Sequence, residues 1–77
     1  MKVNKFGIEM QEVSSSNVAF VGYDNGTQTL YVGFLNGSTY IYKNVPCGEY
    51  MGLLNAPSVG SYLHRYIKNI YAYERIE

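Results

Sequence analysis

The stretch TLYVGFLNGSTYIY, residues 29–42, is the strongest indicator of secondary structure in this chain. Two runs of β-branched and aromatic residues lie on either side of Asn36-Gly37, and such runs favour strands. Asn-Gly is the strongest short hairpin signal, because a type I′ turn needs positive φ at both of its central residues. A two-residue loop at this position would pair Phe34 with Thr39 and Val32 with Ile41. The stretch therefore predicts a hairpin of strands 29–34 and 39–43.

The predicted register sorts the side chains of this hairpin onto two faces, because side chains alternate along a strand. A preceding strand, residues 18–23, joins the same sheet if Asn25-Gly26 closes a similar hairpin. One face would then be aliphatic, formed by Ala19, Val21, Leu30, Val32, Phe34 and Ile41. The other, the predicted tyrosine face, would carry Phe20, Tyr31, Tyr40 and Tyr42.

The flanking segments predict a further strand and two helices. Residues 6–13 alternate well enough for a fourth strand, whereas the tail, residues 71–77, fits either a helix end or an edge strand. Pro46 can begin a short helix that ends before Pro57, and Ser58 can cap a second helix. The apolar stripe of that helix would be Val59, Tyr62, Leu63, Tyr66, Ile67 and Ile70. The fold class predicted for residues 1–77 is a single α+β domain, a three- or four-stranded antiparallel β-meander with two C-terminal α-helices packed on its aliphatic face.

Composition narrows the possible functions. The chain has 77 residues, six basic and six acidic side chains and a net charge of +0, which disfavours a bulk electrostatic partnership with duplex nucleic acid or an anionic membrane. Charged residues make up only 16% against roughly 25% in typical domains, so we expect apolar surface to be shared with a partner, most simply as a homo-oligomer. The chain shows neither the apolar run of a signal peptide nor that of a membrane span, which predicts a cytoplasmic protein without membrane contact.

The catalytic inventory is small, and it predicts a protein that is not an enzyme. His64 is the only histidine, Cys47 the only thiol, and Asp24 the only aspartate. A Cys47–His64 pair is conceivable, but its spacing matches no family pattern, and an inert Cys47 packed near the sheet is the commoner outcome. One cysteine and one histidine also indicate neither a disulfide nor a metal site, and no cofactor is expected.

Two surfaces are candidates for ligand binding. The predicted tyrosine face could stack bases, although a helix or a second copy of the chain could cover it instead. The start of the second helix could hold a phosphate or carboxylate, because Gly60 permits close approach and basic side chains follow; the alternative is a simple cap before a solvated basic face. The candidate ligand-binding residues are Tyr31, Tyr40, Tyr42, Ser58, Gly60, Ser61, His64, Arg65 and Lys68.

An ordered series of short motifs runs through most of the chain. It consists of VSSSNV (13–18), VGYD (21–24), TLYVGF (29–34), Asn36-Gly37, YIY (40–42), Val45-Pro46 and APSVGSYL (56–63). Taken together, these motifs resemble the KTSC domain, a small module named for the C-terminus of some lysyl-tRNA synthetases and also found as stand-alone bacterial and phage proteins. The resemblance covers roughly residues 10–71, with Leu63-His64 where the family usually has Phe-Asn, and with Pro57 at a variable position. It implies a compact α+β binding module and suggests nucleic acid or nucleotides as ligands.

The resulting hypothesis is a non-enzymatic module for a phosphate-bearing ligand, either a nucleotide or single-stranded RNA. The neutral net charge favours the small nucleotide over long RNA. Because stand-alone relatives of this type include phage proteins, a second possibility is a factor that sequesters a host signalling nucleotide or inhibits a host defence enzyme. A protein–protein adaptor that uses the tyrosine face is the alternative from another class.

Overall fold

The computed structural model describes residues 2–77, and the side chains of all of these except Lys2, Val3 and Lys5. Two helices lie between the fifth and sixth strands. The first, α1, spans Cys47–Asn55; the second, α2, spans Val59–Tyr62 and continues as a π-helical turn, Leu63–Ile67, so that residues 59–67 form one helix. The strands are β1 (Lys2–Lys5), β2 (Ile8–Glu12), β3 (Val18–Asp24), β4 (Thr29–Phe34), β5 (Thr39–Tyr42) and β6 (Tyr73–Arg75).

The sheet is an antiparallel meander in which each strand pairs with the next along the chain. The predicted α+β class is therefore confirmed, and the sheet extends beyond the three or four strands expected. At the start, Phe6 and Gly7 take positive φ values of 57° and 77° and form a turn, so residues 2–12 make a hairpin where a single strand was predicted. At the end, the undecided tail returns beside β5 as an edge strand.

The register of the β4–β5 hairpin differs by one residue from the prediction. Leu30 lies opposite Tyr42 and Val32 opposite Tyr40, while Tyr31 lies opposite Ile41. The cause is a three-residue loop: the amide of Phe34 donates to the carbonyl of Ser38 (2.8 Å), and within residues 35–37 only Gly37 has positive φ.

That one-residue shift corrects the predicted faces, because it moves every side chain of β5 to the other side of the sheet. Tyr40 and Tyr42 lie on the same face as Val32, and Ile41 lies with Tyr31 on the opposite face. The predicted tyrosine face therefore does not exist as one surface. The predicted positions of Val21 and Phe20 are correct, since Val21 pairs with Val32 and Phe20 with Gly33.

The core fills the space between the helices and one side of the sheet, which we call the covered face. From the second helix Val59, Leu63 and Ile67 are buried, whereas Tyr66 and Ile70 of the predicted stripe are exposed. The π turn changes the phase of the stripe and the helix ends at Ile67, so these two side chains miss the core. The core consists of Val18, Val21, Leu30, Val32, Tyr42, Val45, Leu53, Val59, Leu63 and Ile67.

We call the other side of the sheet the open face. It carries Met10, Gly22, Tyr31 and Ile41, which lie side by side on adjacent strands, and Phe20, which is two residues from Gly22 along β3. Met10 lies over Gly22, where an added Cβ would stand 2.5 Å from the Met10 sulfur, and Met10 is fully buried as a result. The ring of Phe6 stacks on Tyr31 at 5.9 Å. Residues of the first hairpin therefore cover much of the open face.

Candidate functional site

A polar hollow lies at the start of the second helix. Its volume is about 410 Å³. It contains five of the nine candidate residues predicted from the sequence, together with two residues from the connection between β2 and β3. The lining residues are Ser16, Asn17, Ser58, Gly60, Ser61, His64 and Arg65. Lys68, which the sequence pattern grouped with these five, does not line this hollow.

Local hydrogen bonds shape this polar hollow. The Ser58 hydroxyl accepts from the amide of Ser61 (3.3 Å), which is the predicted N-cap. The connection between β2 and β3 is held by the Ser15 hydroxyl, which accepts from the amides of Asn17 and Val18. A Cβ on Gly60 would stand 2.6 Å from the Asn17 Oδ1 atom, so only glycine lets the helix lie this close to the connection.

The charge around the hollow is positive although the whole chain is neutral. No acidic residue occurs between Glu49 and Glu74. His64, Arg65 and Lys68 are exposed, and within residues 2–77 none of them forms an ion pair. The first two amides of the helix, Val59 and Gly60, also have no acceptor within the helix because of their position. The arrangement suits an anion, with Arg65 as its strongest donor.

An apolar hollow of about 270 Å³ shares Ser58, Ser61 and Arg65 with the polar hollow as lining residues. Its aromatic wall consists of Tyr62 and Tyr66, whose ring centroids are 4.8 Å apart. The sequence pattern placed both rings in the buried stripe of the helix, so neither was recognised as a site residue. The remaining lining residues are Ala56 and Pro57.

Tyr62 is held in place by a carboxylate of the first helix. Its hydroxyl donates to Glu49 Oε1 (2.6 Å), and the Tyr71 hydroxyl donates to Glu49 Oε2 (3.4 Å). The hydrogen bond from Tyr62 to Glu49, with burial as the next cause, raises the pKa of Tyr62 to about 12. Gly52 makes this contact possible, because a Cβ there would collide with the Tyr62 hydroxyl.

A third hollow, which we call the aromatic cleft, lies between the end of the second helix and strands β4 to β6. Its volume is about 260 Å³. It brings together three predicted site residues, Tyr40, Tyr42 and Lys68, whereas the fourth, Tyr31, lies on the open face. Its lining residues are Phe34, Asn36, Ser38, Tyr40, Tyr42, Lys68, Asn69 and Tyr73.

The chemistry these hollows offer is binding through hydroxyls, amides, aromatic rings and cations. Among the described residues, no cluster of three or more His, Cys, Asp or Glu side chains could hold a metal ion.

Cys47 is exposed at the start of α1, so the expectation that it packs near the sheet is wrong. The cysteine begins the helix one residue after Pro46, which takes the cap position, and its side chain stays outside the core. In residues 2–77, no helix has the length and apolar character needed to cross a membrane.

Comparison with known proteins places this arrangement in a family. The family model of the KTSC domain matches residues 14–71, which include the Ser15–Asn17 turn and the whole second helix. The crystal structure of a KTSC domain protein from Yersinia pestis superposes with a TM-score of 0.86 and 31% identity, covering 91% of this chain and 99% of that one.

Sequence relatives include long and short proteins. A lysine–tRNA ligase of Trichormus variabilis is 44% identical over 54 residues, which are 70% of this chain and 10% of the ligase, so the chain spans about a tenth of that relative. A small protein of Tsukamurella paurometabola is 39% identical over 59 residues, 77% of this chain and 88% of its own length. With the family model covering most of its length and a closely superposable KTSC structure, this chain belongs to the KTSC domain family.

Proposed function

We propose that this KTSC domain is a non-enzymatic cytoplasmic binding module for a phosphate-bearing ligand, a nucleotide or a short single-stranded RNA. The observation that carries the proposal is the polar hollow, where unpaired Arg65 and His64 stand beside the serine hydroxyls and the free amides at the start of the helix. The several oxygens of a phosphate group accept hydrogen bonds from donors of these kinds.

The number of basic side chains near the hollow limits how many phosphates the ligand carries. Three basic side chains, His64, Arg65 and Lys68, lie along the exposed side of the second helix. A long nucleic acid gains affinity from many phosphate contacts, whereas so few basic side chains suit one to three phosphates. Lysine–tRNA ligases carry a related segment, and by their name they act on tRNA, which supports RNA as a ligand. A phage-type role in sequestering a host signalling nucleotide would use the same hollow.

Calorimetric titration of the wild-type protein with pyrophosphate, mono-, di- and cyclic nucleotides and short RNA oligonucleotides tests the proposal. We expect phosphate-bearing ligands to bind, and Arg65→Ala to weaken them about 10-fold or more, because a charge-assisted hydrogen bond is lost. Lys43→Ala is the matched control: it removes the same charge, but Lys43 pairs with Glu74 at 3.6 Å and lines none of the three hollows.

The Gly60 contact supplies a second test of the same hollow. Gly60→Ala would push the helix start away from Asn17 and should weaken phosphate binding as well, while the protein still folds. Absence of binding by every member of the panel, or equal losses in Arg65→Ala and Lys43→Ala, would contradict the proposal. That result would favour a protein–protein adaptor, which could also act by covering the site of a host enzyme.

A further inference from the structure

Tyr42 has a feature that its position in the core does not explain. The side chain is only 2% exposed, and among the residues that the structure describes its hydroxyl forms no hydrogen bond. A tyrosine hydroxyl at the edge of a core can bind a ligand when no protein group is bonded to it. Tyr42 lines the aromatic cleft, and no side-chain oxygen of the described residues is both fully enclosed and unbonded. The hydroxyl of Tyr42 therefore faces the cleft.

The walls of the aromatic cleft favour a flat ring. The ring of Tyr40 packs edge to face against that of Phe34, with the ring centroids 5.6 Å apart, and its centroid lies 5.9 Å from that of Tyr73. The three rings therefore form a continuous apolar surface. Tyr73 is largely exposed and offers a ring face to which a planar ligand can stack. The rim is polar and consists of Asn36, Ser38, Lys68 and Asn69.

The charge at the cleft indicates which kind of ligand ring can bind there. Aromatic cages that recognise ammonium groups need a site without a competing cation, whereas Lys68 lies at this cleft and is unpaired within residues 2–77. The Tyr42 hydroxyl is protonated near neutral pH and can donate, and burial, ahead of the neighbouring Tyr40 and Tyr73, raises its pKa further above the ordinary 10.0. The cleft therefore selects a neutral heterocycle with an acceptor atom, attached to something anionic.

We propose that the aromatic cleft is the base-binding subsite of this domain, where a nucleobase lies against Tyr40 and Tyr73 and accepts a hydrogen bond from the Tyr42 hydroxyl. The inference deepens the proposed function, because it names where the base of the same phosphate-bearing ligand binds. Lys68 joins the two sites: it lies at the cleft and one helical turn from His64 in the polar hollow.

Tyr42→Phe is the sharpest test, because it removes only the hydroxyl. Titration with adenosine, cytidine, guanosine and uridine, which carry no phosphate, isolates the cleft from the polar hollow. We expect at least one nucleoside to bind the wild-type protein and to bind Tyr42→Phe roughly 3- to 10-fold more weakly, the loss of one hydrogen bond. The melting temperature of Tyr42→Phe should not fall, since the hydroxyl has no partner to lose.

Tyr23→Phe is the matched control. The Tyr23 hydroxyl does have a protein partner, the carbonyl of Val45, and Tyr23 does not line the cleft. This variant should therefore lose stability and keep nucleoside affinity, the reverse of Tyr42→Phe.

Three results would overturn the inference. They are no nucleoside binding to a folded wild-type protein, unchanged nucleoside affinity in Tyr42→Phe, and loss of nucleoside binding in Tyr66→Ala alone, which would place the base in the apolar hollow. Each can be told apart from failure of the proposed function, because pyrophosphate binding and its loss in Arg65→Ala report on the polar hollow independently.

Discussion

The aromatic residues on the two faces of the sheet differ in what surrounds them. On the open face the ring of Phe6 stacks on that of Tyr31, and Met10 occupies the space above Gly22. Neighbours within the chain therefore cover these positions. On the covered face Tyr40, Tyr42 and Tyr73 line a cleft whose rim carries polar groups and Lys68. Aromatic content alone does not identify a binding surface, because the neighbours of each ring decide whether it packs or binds.

The largest expected effect separates the faces by burial. Val32→Asp should destabilise the domain by several kcal/mol and unfold it, because Val32 is 0% exposed and its position offers a carboxylate no partner. Ile41→Asp should cost clearly less, since Ile41 is only half-buried on the open face. Denaturant titration measures both, and equal losses would contradict the register of β4 and β5.

Two glycines of the open face differ in how closely their neighbours pack against them. Gly22→Ala should cost about 1–3 kcal/mol, because its Cβ would meet the Met10 sulfur at 2.5 Å and the Glu9 carbonyl oxygen at 3.0 Å. Gly33→Ala is the control, since the nearest atom to its Cβ would be 3.7 Å away, and a strand alanine is favoured by roughly 0.5–1 kcal/mol. Thermal melts that show equal losses for both would argue against Met10 packing over Gly22.

Alkaline pH should weaken the helical layer through Tyr62. Its pKa rises from an ordinary 10.0 to about 12, so the neutral phenol that donates to Glu49 contributes fully below pH 10. That contribution is lost as the pH rises through 12. The stability difference between wild type and Tyr62→Phe should therefore be constant below pH 10 and shrink above it. In a Glu49→Gln background the difference should lose most of this alkaline dependence, and an unchanged profile would contradict the assignment.

The smallest expected effect is self-association. Phe20, Tyr31 and Ile41 remain partly exposed on the open face, and a symmetric dimer would cover them. Sedimentation equilibrium at tens of micromolar should show a mass above 8.7 kDa, reduced toward the monomer by Tyr31→Arg. A wild-type protein that stays at 8.7 kDa would show that the open face does not mediate self-association under these conditions.

Sequence patterns predicted what depends on local chemistry. Ser58 caps the second helix as expected, and His64 and Arg65 line one hollow with it, because a helix places such residues on neighbouring turns. The contribution of Asn17 could not be predicted in this way, since it depends on how closely Gly60 lets two distant segments pack.

The predictions were wrong where a local irregularity in the backbone moves side chains from one face of an element to another. The loop at Asn36-Gly37 has three residues instead of two, and nothing in its composition distinguishes the two forms. That single difference moved Tyr40 and Tyr42 to the covered face and produced the aromatic cleft beside Lys68. Similarly, the π turn in the second helix exposed Tyr66, because helical spacing assumes regular hydrogen bonding throughout.

Chemical-shift mapping of AMP onto the uniformly ¹⁵N-labelled protein would show which region of the domain binds the nucleotide. We expect shifts at the backbone amides of Asn17, Gly60, Ser61 and Arg65 and at the side-chain amides of Asn36 and Asn69, whereas the backbone amides of Phe20, Gly22 and Tyr31 should not move. Shifts confined to the open face, or none at millimolar AMP, would contradict this expectation.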